Sequence, residues 1–455
     1  MKRMLTMILC ALLVLALLPA VPAAAADEPT WPEELPDEAR SLCEELYQDY
    51  GCVPHRGGTV RASELESGGA YTFTDDTLLV LDADLTVKAV CCVGGLTIRG
   101  EKQLTAEIVY ACWYGPICVE SGTIVCPVMD EPPQPGTIVQ NGLCALGGVV
   151  ISGGSVECPV ISGCGETVVV SGGTVRADSI HAIFGYFQNG GDVDARFIWG
   201  REGVGISGGT LNAGSIDGMI VTFSGGTTVV DTVASEWGRV EIPFPMAITQ
   251  PENARWQDDA FVDENGNPVE RVRIERLQIP VPFEDVSEQA YYYDPMLWAV
   301  YYKITNGVSA ARFAPEQTCT RAEAVTFLWR AFGCPAPERT DVKFADVAPG
   351  AWYADAVRWA VENGVTRGTS ETAFSPDKCC TRAEIVTFLW RSAGSPDGGA
   401  HDDGFADVPA GAWFAGAVGW AAETGITNGT SDAAFSPNQP CTRAQIVTFL
   451  YRLFN

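Results

Sequence analysis

Three arginines near the carboxy end of the 455-residue chain recur at one fixed interval: Arg321, Arg382 and Arg443. Each follows a threonine and precedes Ala-Glu or, in the third case, Ala444-Gln445. At the same interval come three acids, Asp285, Asp346 and Asp407, and two tryptophans, Trp352 and Trp413, where the first unit has Tyr291. A guanidinium grips a carboxylate through paired charge-assisted hydrogen bonds. The competing expectation for each arginine is a structural bond to the Asp or the carbonyls of its own unit. A second set is Asp192 and Asp194, two apart on a strand and so on one face, with Arg196 and Arg201 after them. No second acidic cluster follows one turn away, so solvated faces and turns are their expected role, as for Asp82 and Asp84. The three histidines, His55, His181 and His401, and the lack of a Cys-x-x-Cys pair at zinc spacing leave no metal ligands, catalytic residues or cofactor to name.

The arginines belong to a longer repeat. Phe283, Phe344 and Phe405 keep the same step, as do Trp298, Trp359 and Trp420, Phe313, Phe374 and Phe435, and Arg330, Arg391 and Arg452. Within one unit, residues 354–362 put Ala356, Val357, Ala360 and Val361 on one helical face, and Asn363-Gly364 stops the helix. Thr381 caps a second helix and Glu384 closes its capping box. Ile385, Val386, Phe388, Leu389 and Trp390 exceed a single apolar stripe, which predicts burial between neighbouring units. Trp298, Trp359 and Trp420 are expected in the helical core.

Phe344-Ala345-Asp346-Val347, Trp352-Tyr353, Gly368, Phe374-Ser375-Pro376 and Thr381-Arg382-Ala383-Glu384, with counterparts in the third unit, resemble the S-layer homology repeat. The resemblance covers roughly residues 283–455 in three units: 283–343, 344–404 and 405–455. It implies an α-helical pseudo-threefold bundle whose grooves bind secondary cell-wall polysaccharide, commonly one ending in a pyruvylated amino sugar. On that reading Arg321, Arg382 and Arg443 contact the anionic sugar and Trp352 and Trp413 are groove aromatics. Asp285, Asp346 and Asp407 accept from hydroxyls or orient the arginines, and Gly368 and Gly429 complete the ligand-binding set. The first unit departs from the pattern with Tyr291-Tyr292 and Gly307-Val308-Ser309, and Gln445 removes the charge from the third capping box. Unequal grooves are expected, with the second unit the most complete.

Upstream, residues 59–240 are rich in Val, Ile, Thr and Gly. Gly-Gly pairs end at Gly154, Gly173, Gly191, Gly209 and Gly226, in steps of 19, 18, 18 and 17. Short strands at a near-constant step predict an all-β parallel β-solenoid, similar to those of bacterial surface proteins and polysaccharide-active enzymes, in which each turn buries its neighbour's core. Residues 27–58 supply a short helical amino-terminal cap around 34–50, the Pro-rich stretch 131–135 an exposed loop, and 241–282 a connecting β segment with a turn at Asn265-Gly266-Asn267-Pro268.

Lys2 and Arg3, the apolar run to Leu18 and the stretch Ala23 to Ala26 predict a signal peptide over 1–26. No later stretch approaches the ~20 apolar residues of a spanning helix, so the mature chain is expected to have no membrane span and to be retained by binding. A net charge of −28 argues against nucleic acid. Fifteen cysteines outside the signal leave open whether they form bridges or pack as small hydrophobes. The expectation is a secreted cell-wall protein, anchored to a peptidoglycan-linked anionic glycan and displaying a non-enzymatic solenoid with a structural or adhesive role, its ligand a host or environmental glycan met by exposed aromatics such as Trp113 or Trp199. The alternative is a wall-anchored polysaccharide lyase or hydrolase with the solenoid as catalytic domain.

Overall fold

The computed structural model describes residues 51–112, 115–127, 142–338, 344–396 and 405–455. The signal peptide, the helix candidate at 34–50, the Pro-rich loop and Trp113 lie outside these residues. The chain divides into two compact units, Met1–Leu277 and Gln278–Asn455.

The first unit is a parallel β-solenoid with three strands to a turn. One turn runs through 185–188, 192–195 and 197–200, and each of these pairs in parallel with its equivalents one turn before and after. Parallel strands need a long return path, and here the rest of the turn is that path. Val156 aligns with Val175, Val193 and Leu211 in successive turns, which is the same rhythm as the Gly-Gly pairs. Because side chains alternate along a strand, one residue in two points inward and stacks on its equivalents. Ile161, Ile180, Ile198 and Ile216 form one such fully buried column. The column of Val168 and Val170 admits a polar pair, Tyr186 and Gln188, both buried. There the tyrosine hydroxyl donates to Gln188 Oε1 at 3.0 Å, and Gln188 Nε2 donates to the Thr210 carbonyl at 3.0 Å.

The recurring glycine has a steric cause. Gly191 has φ +70°, and a Cβ on it would lie 2.8 Å from the Gly173 carbonyl oxygen one turn back. After the last full turn, residues 227–230 pair antiparallel with Val272–Arg276, which also pairs with Met246–Gln250. The solenoid's final strand edge is thereby covered. Of the segment expected as a connector, Val272–Arg276 thus joins the solenoid's sheet with Met246–Gln250 beside it, Arg255–Gln257 and Ala260–Val262 form a separate hairpin, and the turn at Gly266 is tied by its N–H to the Asp263 carbonyl at 3.1 Å.

Among the described residues the second unit holds six helices: α1 (Tyr293–Tyr301), α2 (Arg321–Ala331), α3 (Ala354–Glu362), α4 (Arg382–Ser392), α5 (Ala415–Glu423) and α6 (Arg443–Phe454). Thr320, Thr381 and Thr442 cap α2, α4 and α6 with reciprocal bonds from Glu323, Glu384 and Gln445, as the sequence predicts. Those three helices meet one another at the centre. Around them α3 packs on α2, α5 on α4 and α1 on α6, so the first helix of the first repeat closes the ring against the third. Trp298, Trp359 and Trp420 are buried in these contacts. At the axis, the Cys380 N–H donates to the Cys319 carbonyl, Cys441 to Cys380, and Cys319 to Cys441, at 2.9, 2.8 and 2.9 Å.

Candidate functional site between the repeats

Each arginine is the first residue of a central helix, and its side chain crosses into the next repeat. Arg321 Nε donates to the Phe374 carbonyl at 2.9 Å, Nη2 to Thr366 Oγ1 at 3.3 Å, and Nη1 pairs with Glu384 Oε1 at 3.3 Å. Arg443 repeats the pattern across the ring closure: Nε to the Phe313 carbonyl at 2.8 Å, Nη2 to Thr305 Oγ1 at 3.0 Å, and Nη1 to Glu323 Oε1 at 3.6 Å. The guanidiniums lie over phenylalanine rings, Arg321 at 5.0 Å from Phe374 and Arg443 at 5.2 Å from Phe313. Relative exposures of 3%, 2% and 2% for Arg321, Arg382 and Arg443 put all three inside the fold. The bonds differ from the structural alternative considered above in one respect. The carbonyls belong to the neighbouring unit, 53 residues away for Arg321 and 130 for Arg443, and not to the arginine's own.

Arg382 differs from its two relatives. Its Nε reaches the Phe435 carbonyl at 2.8 Å, but the residue in the place of Glu384 and Glu323 is the neutral Gln445, and Arg382 Nη2 is buried without a hydrogen-bond partner. Burial draws the Arg382 pKa down from the guanidinium range. Tyr291 lies close enough to Arg382 for the guanidinium to favour its ionised form. This groove therefore draws on all three repeats: Tyr291 from the first, Arg382 from the second, and Phe435, Gln445 and Asp407 from the third.

The aspartates pin the loops that carry those carbonyls. Asp285 accepts from the Phe313 and Ala314 N–H groups, Asp346 from Phe374 and Ser375, and Asp407 from Phe435 and Ser436, all at 2.7–2.9 Å. Burial works to raise the pKa values of Asp285 and Asp346, but the N–H donors outweigh it and both end below the usual carboxylate range. Gly368 and Gly429 are held by the same loops, at φ +85° and +78°, where a Cβ would lie 2.5 Å from the Phe344 and Phe405 rings. The outer wall is aromatic: Trp352, Trp413 and Tyr291 are 61%, 63% and 64% exposed. Each stands edge-on to the next residue, Tyr353, Phe414 or Tyr292, at 5.1–5.3 Å.

In the solenoid, Asp192 and Asp194 do face one side, outward. Sequence reading missed their companions because these come from other turns. Arg176 aligns with Glu157 and Asp194, Arg196 lies 3.9 Å from Asp178, and Asn212 donates to Asp194 at 2.8 Å. These side chains border a groove of about 520 Å³ that runs along the stack over Ala177, Ala195 and Ala213, with Arg271 joining Asn212 and Asp231 at one end. Arg201 is not among its lining residues. Asp82 is taken up by Ser63 and Asp84 by the Gln103 N–H. Trp199 is half-buried, 6.2 Å from His181.

Residues 282–325, 343–386 and 404–447 each match the S-layer homology domain. The carboxy-terminal unit consists of three S-layer homology domains. The chain is 33% identical over 155 residues to a surface-layer 125 kDa protein of Lysinibacillus sphaericus, covering 33% of this chain and 13% of that one. It is 32% identical over 113 residues to a cell surface protein of Thermoanaerobacter kivui, 24% of this chain and 15% of that one. It is 28% identical over 153 residues to a cellulosome-anchoring protein of Acetivibrio thermocellus, 32% and 34% of the two chains. The chain thus spans a small part of these relatives' length. Its S-layer homology domains make it a cell-surface protein associated with the cell wall. Among the described residues no helix is long and apolar enough to cross a membrane.

Proposed function

We propose that the three repeats hold the chain non-covalently to a wall polysaccharide bearing carboxylates, of which a pyruvylated sugar is the fitting example, and that the Arg382 groove takes the charged group. The observation behind this is the buried Arg382 Nη2, which lacks the threonine hydroxyl that Nη2 of Arg321 and Arg443 reaches, in the groove where Gln445 also replaces the glutamate that meets their Nη1. In the other two grooves Glu384 and Glu323 already meet the arginine. A ligand carboxylate beside Tyr291 would supply the missing acceptor, and the exposed Tyr291, Trp352 and Trp413 rings would cover the apolar faces of sugars. The expected anionic contacts thereby narrow from three arginines to one, while Arg321 and Arg443 serve the fold.

The test is sedimentation of the full chain with purified wall sacculi. Gln445→Glu should neutralise Arg382 internally and cut retention about tenfold without unfolding the ring. Undiminished retention of that variant, or equal binding to sacculi stripped of the glycan, would overturn the reading.

For the solenoid we propose display at the surface in a structural or adhesive role. The second reading, a polysaccharide lyase or hydrolase, is favoured by one observation, the groove that brings Arg176, Asp178, Asp194 and Arg196 together across turns. New reducing ends or unsaturated sugars from a uronic-acid polymer, lost in Arg176→Ala and Asp194→Asn, would establish it. Turnover unchanged in both variants would exclude this groove.

A further inference from the structure

One turn of the solenoid is far longer than the others. Ile124 aligns with Val156 and Val109 with Leu143, intervals nearly twice those of later turns, where Val156 aligns with Val175 and Val175 with Val193. The excess falls between the strands Thr123–Val125 and Gly142–Ala145. A cysteine stands at each end of this insertion, and each meets a cysteine of the following turn. Val125 is in register with Glu157, and the Cys126 N–H donates to the Glu157 carbonyl at 2.8 Å, which sets Cys126 beside Cys158. The two side chains are hydrogen-bonded to each other. Ala145 is in register with Gly163, and the Cys164 N–H donates to the Ala145 carbonyl at 2.9 Å. The Cys144 and Cys164 thiols are also hydrogen-bonded to each other. Other buried thiols behave differently: Cys92 turns to the Asp75 carbonyl and Cys112 to the Cys92 carbonyl, both at 3.2 Å. Neighbouring strands lie ~4.8 Å apart, which puts the in-register Cys126 and Cys158 inside the Cα range of about 4.4–6.8 Å that a disulfide spans; Cys144 is in register with Ser162, so its bridge must reach two residues further along, to Cys164.

We propose that outside the cell these thiols become two disulfides, Cys126–Cys158 and Cys144–Cys164, which staple both ends of the insertion to the next turn. The oxidant is an external disulfide, of an exported thiol–disulfide oxidoreductase or a small molecule. The Cys164 thiolate attacks one of its sulfurs, forming a mixed disulfide and expelling one thiolate. Cys144 then loses its proton and attacks the Cys164 sulfur, expelling the second. Two electrons and two protons pass to the oxidant, which leaves as two thiols. Cys164 suits the role of first attacker, because the hydrogen bond from Cys144 draws its pKa down to about 7. Cys126 and Cys158 are both in the solenoid core, so their bridge closes before the core does.

The test uses full-length protein recovered from an oxidising compartment, alkylated without reduction and cleaved after aspartate and glutamate. Peptides 121–130, 131–157 and 158–166 should then travel as one species that falls apart on reduction. Cys164→Ser should release only 131–157, and Cys158→Ser only 121–130. Three separate, fully alkylated peptides from the unmodified chain would overturn the proposal, as would the opposite release pattern in the two variants. In the unmodified chain, reduction should lower the solenoid's thermal midpoint by several degrees, and it should have no effect on the double variant Cys158→Ser/Cys164→Ser.

Discussion

In the solenoid a turn pairs only with the turns before and after it, whereas each S-layer homology repeat touches both of the others. Both arrangements answer the same need, since one repeat of either kind exposes apolar surface that only another repeat can cover. The solenoid repeats by translation, and its columns accept any inward residue of suitable bulk, Val in one turn and Leu, Ile or Tyr in the next. The ring repeats by rotation, and a side chain from one unit completes the loop of another. That difference explains why Phe313, Phe374 and Phe435 keep one identity while a solenoid column can pass from Val168 to Tyr186 and back to Val204.

The largest effect should come from removing a whole repeat. Joining Phe184 to Gly203 deletes one turn in register, and the solenoid transition seen by calorimetry should persist at a somewhat lower temperature. Deleting 344–404 should abolish the ring's transition altogether. Next come the arginines. Arg443→Met strands Glu323 and the Phe313 carbonyl, and should lower ring stability in urea by about 3 kcal/mol. Arg382→Met strands no carboxylate and should cost only about 1–2 kcal/mol. Acid sharpens the contrast in the same direction. The depressed pKa values of Asp285 and Asp346 mean that their stabilisation is complete above the unfolded value, about pH 4, and is lost as pH falls through the lower folded values. The ring's thermal midpoint should therefore drop below about pH 4, and less so in Asp285→Asn. Smallest in stability is Trp352→Ala, expected within about 0.5 kcal/mol because the ring is exposed, although retention on sacculi should fall.

Features set by neighbours in sequence were legible. The caps at Thr320, Thr381 and Thr442 join residues three apart, and the Gly-Gly step is a fixed interval, so both could be read from one chain. The arginines could not, because their partners are loop carbonyls in another repeat and the deciding contact depends on the ring closing. Gln445 was visible as a lost charge in a capping box, but its second consequence, an Arg382 without a carboxylate, needs the distance between repeats. The solenoid groove was hidden for a related reason. Asp178 and Arg196 are a full turn apart along the chain and become neighbours only when one turn stacks on the next.

The triangle of Cys319, Cys380 and Cys441 sets an arithmetic for chains built this way. Each backbone N–H is answered by the carbonyl of the next cysteine, and the third returns to the first. Such a cycle has no terminal member, so it cannot be shortened by one and left with a tidy end. A polypeptide carrying one or two of these repeats would have to borrow the remainder from another molecule, and a tandem array would count its copies in multiples of three.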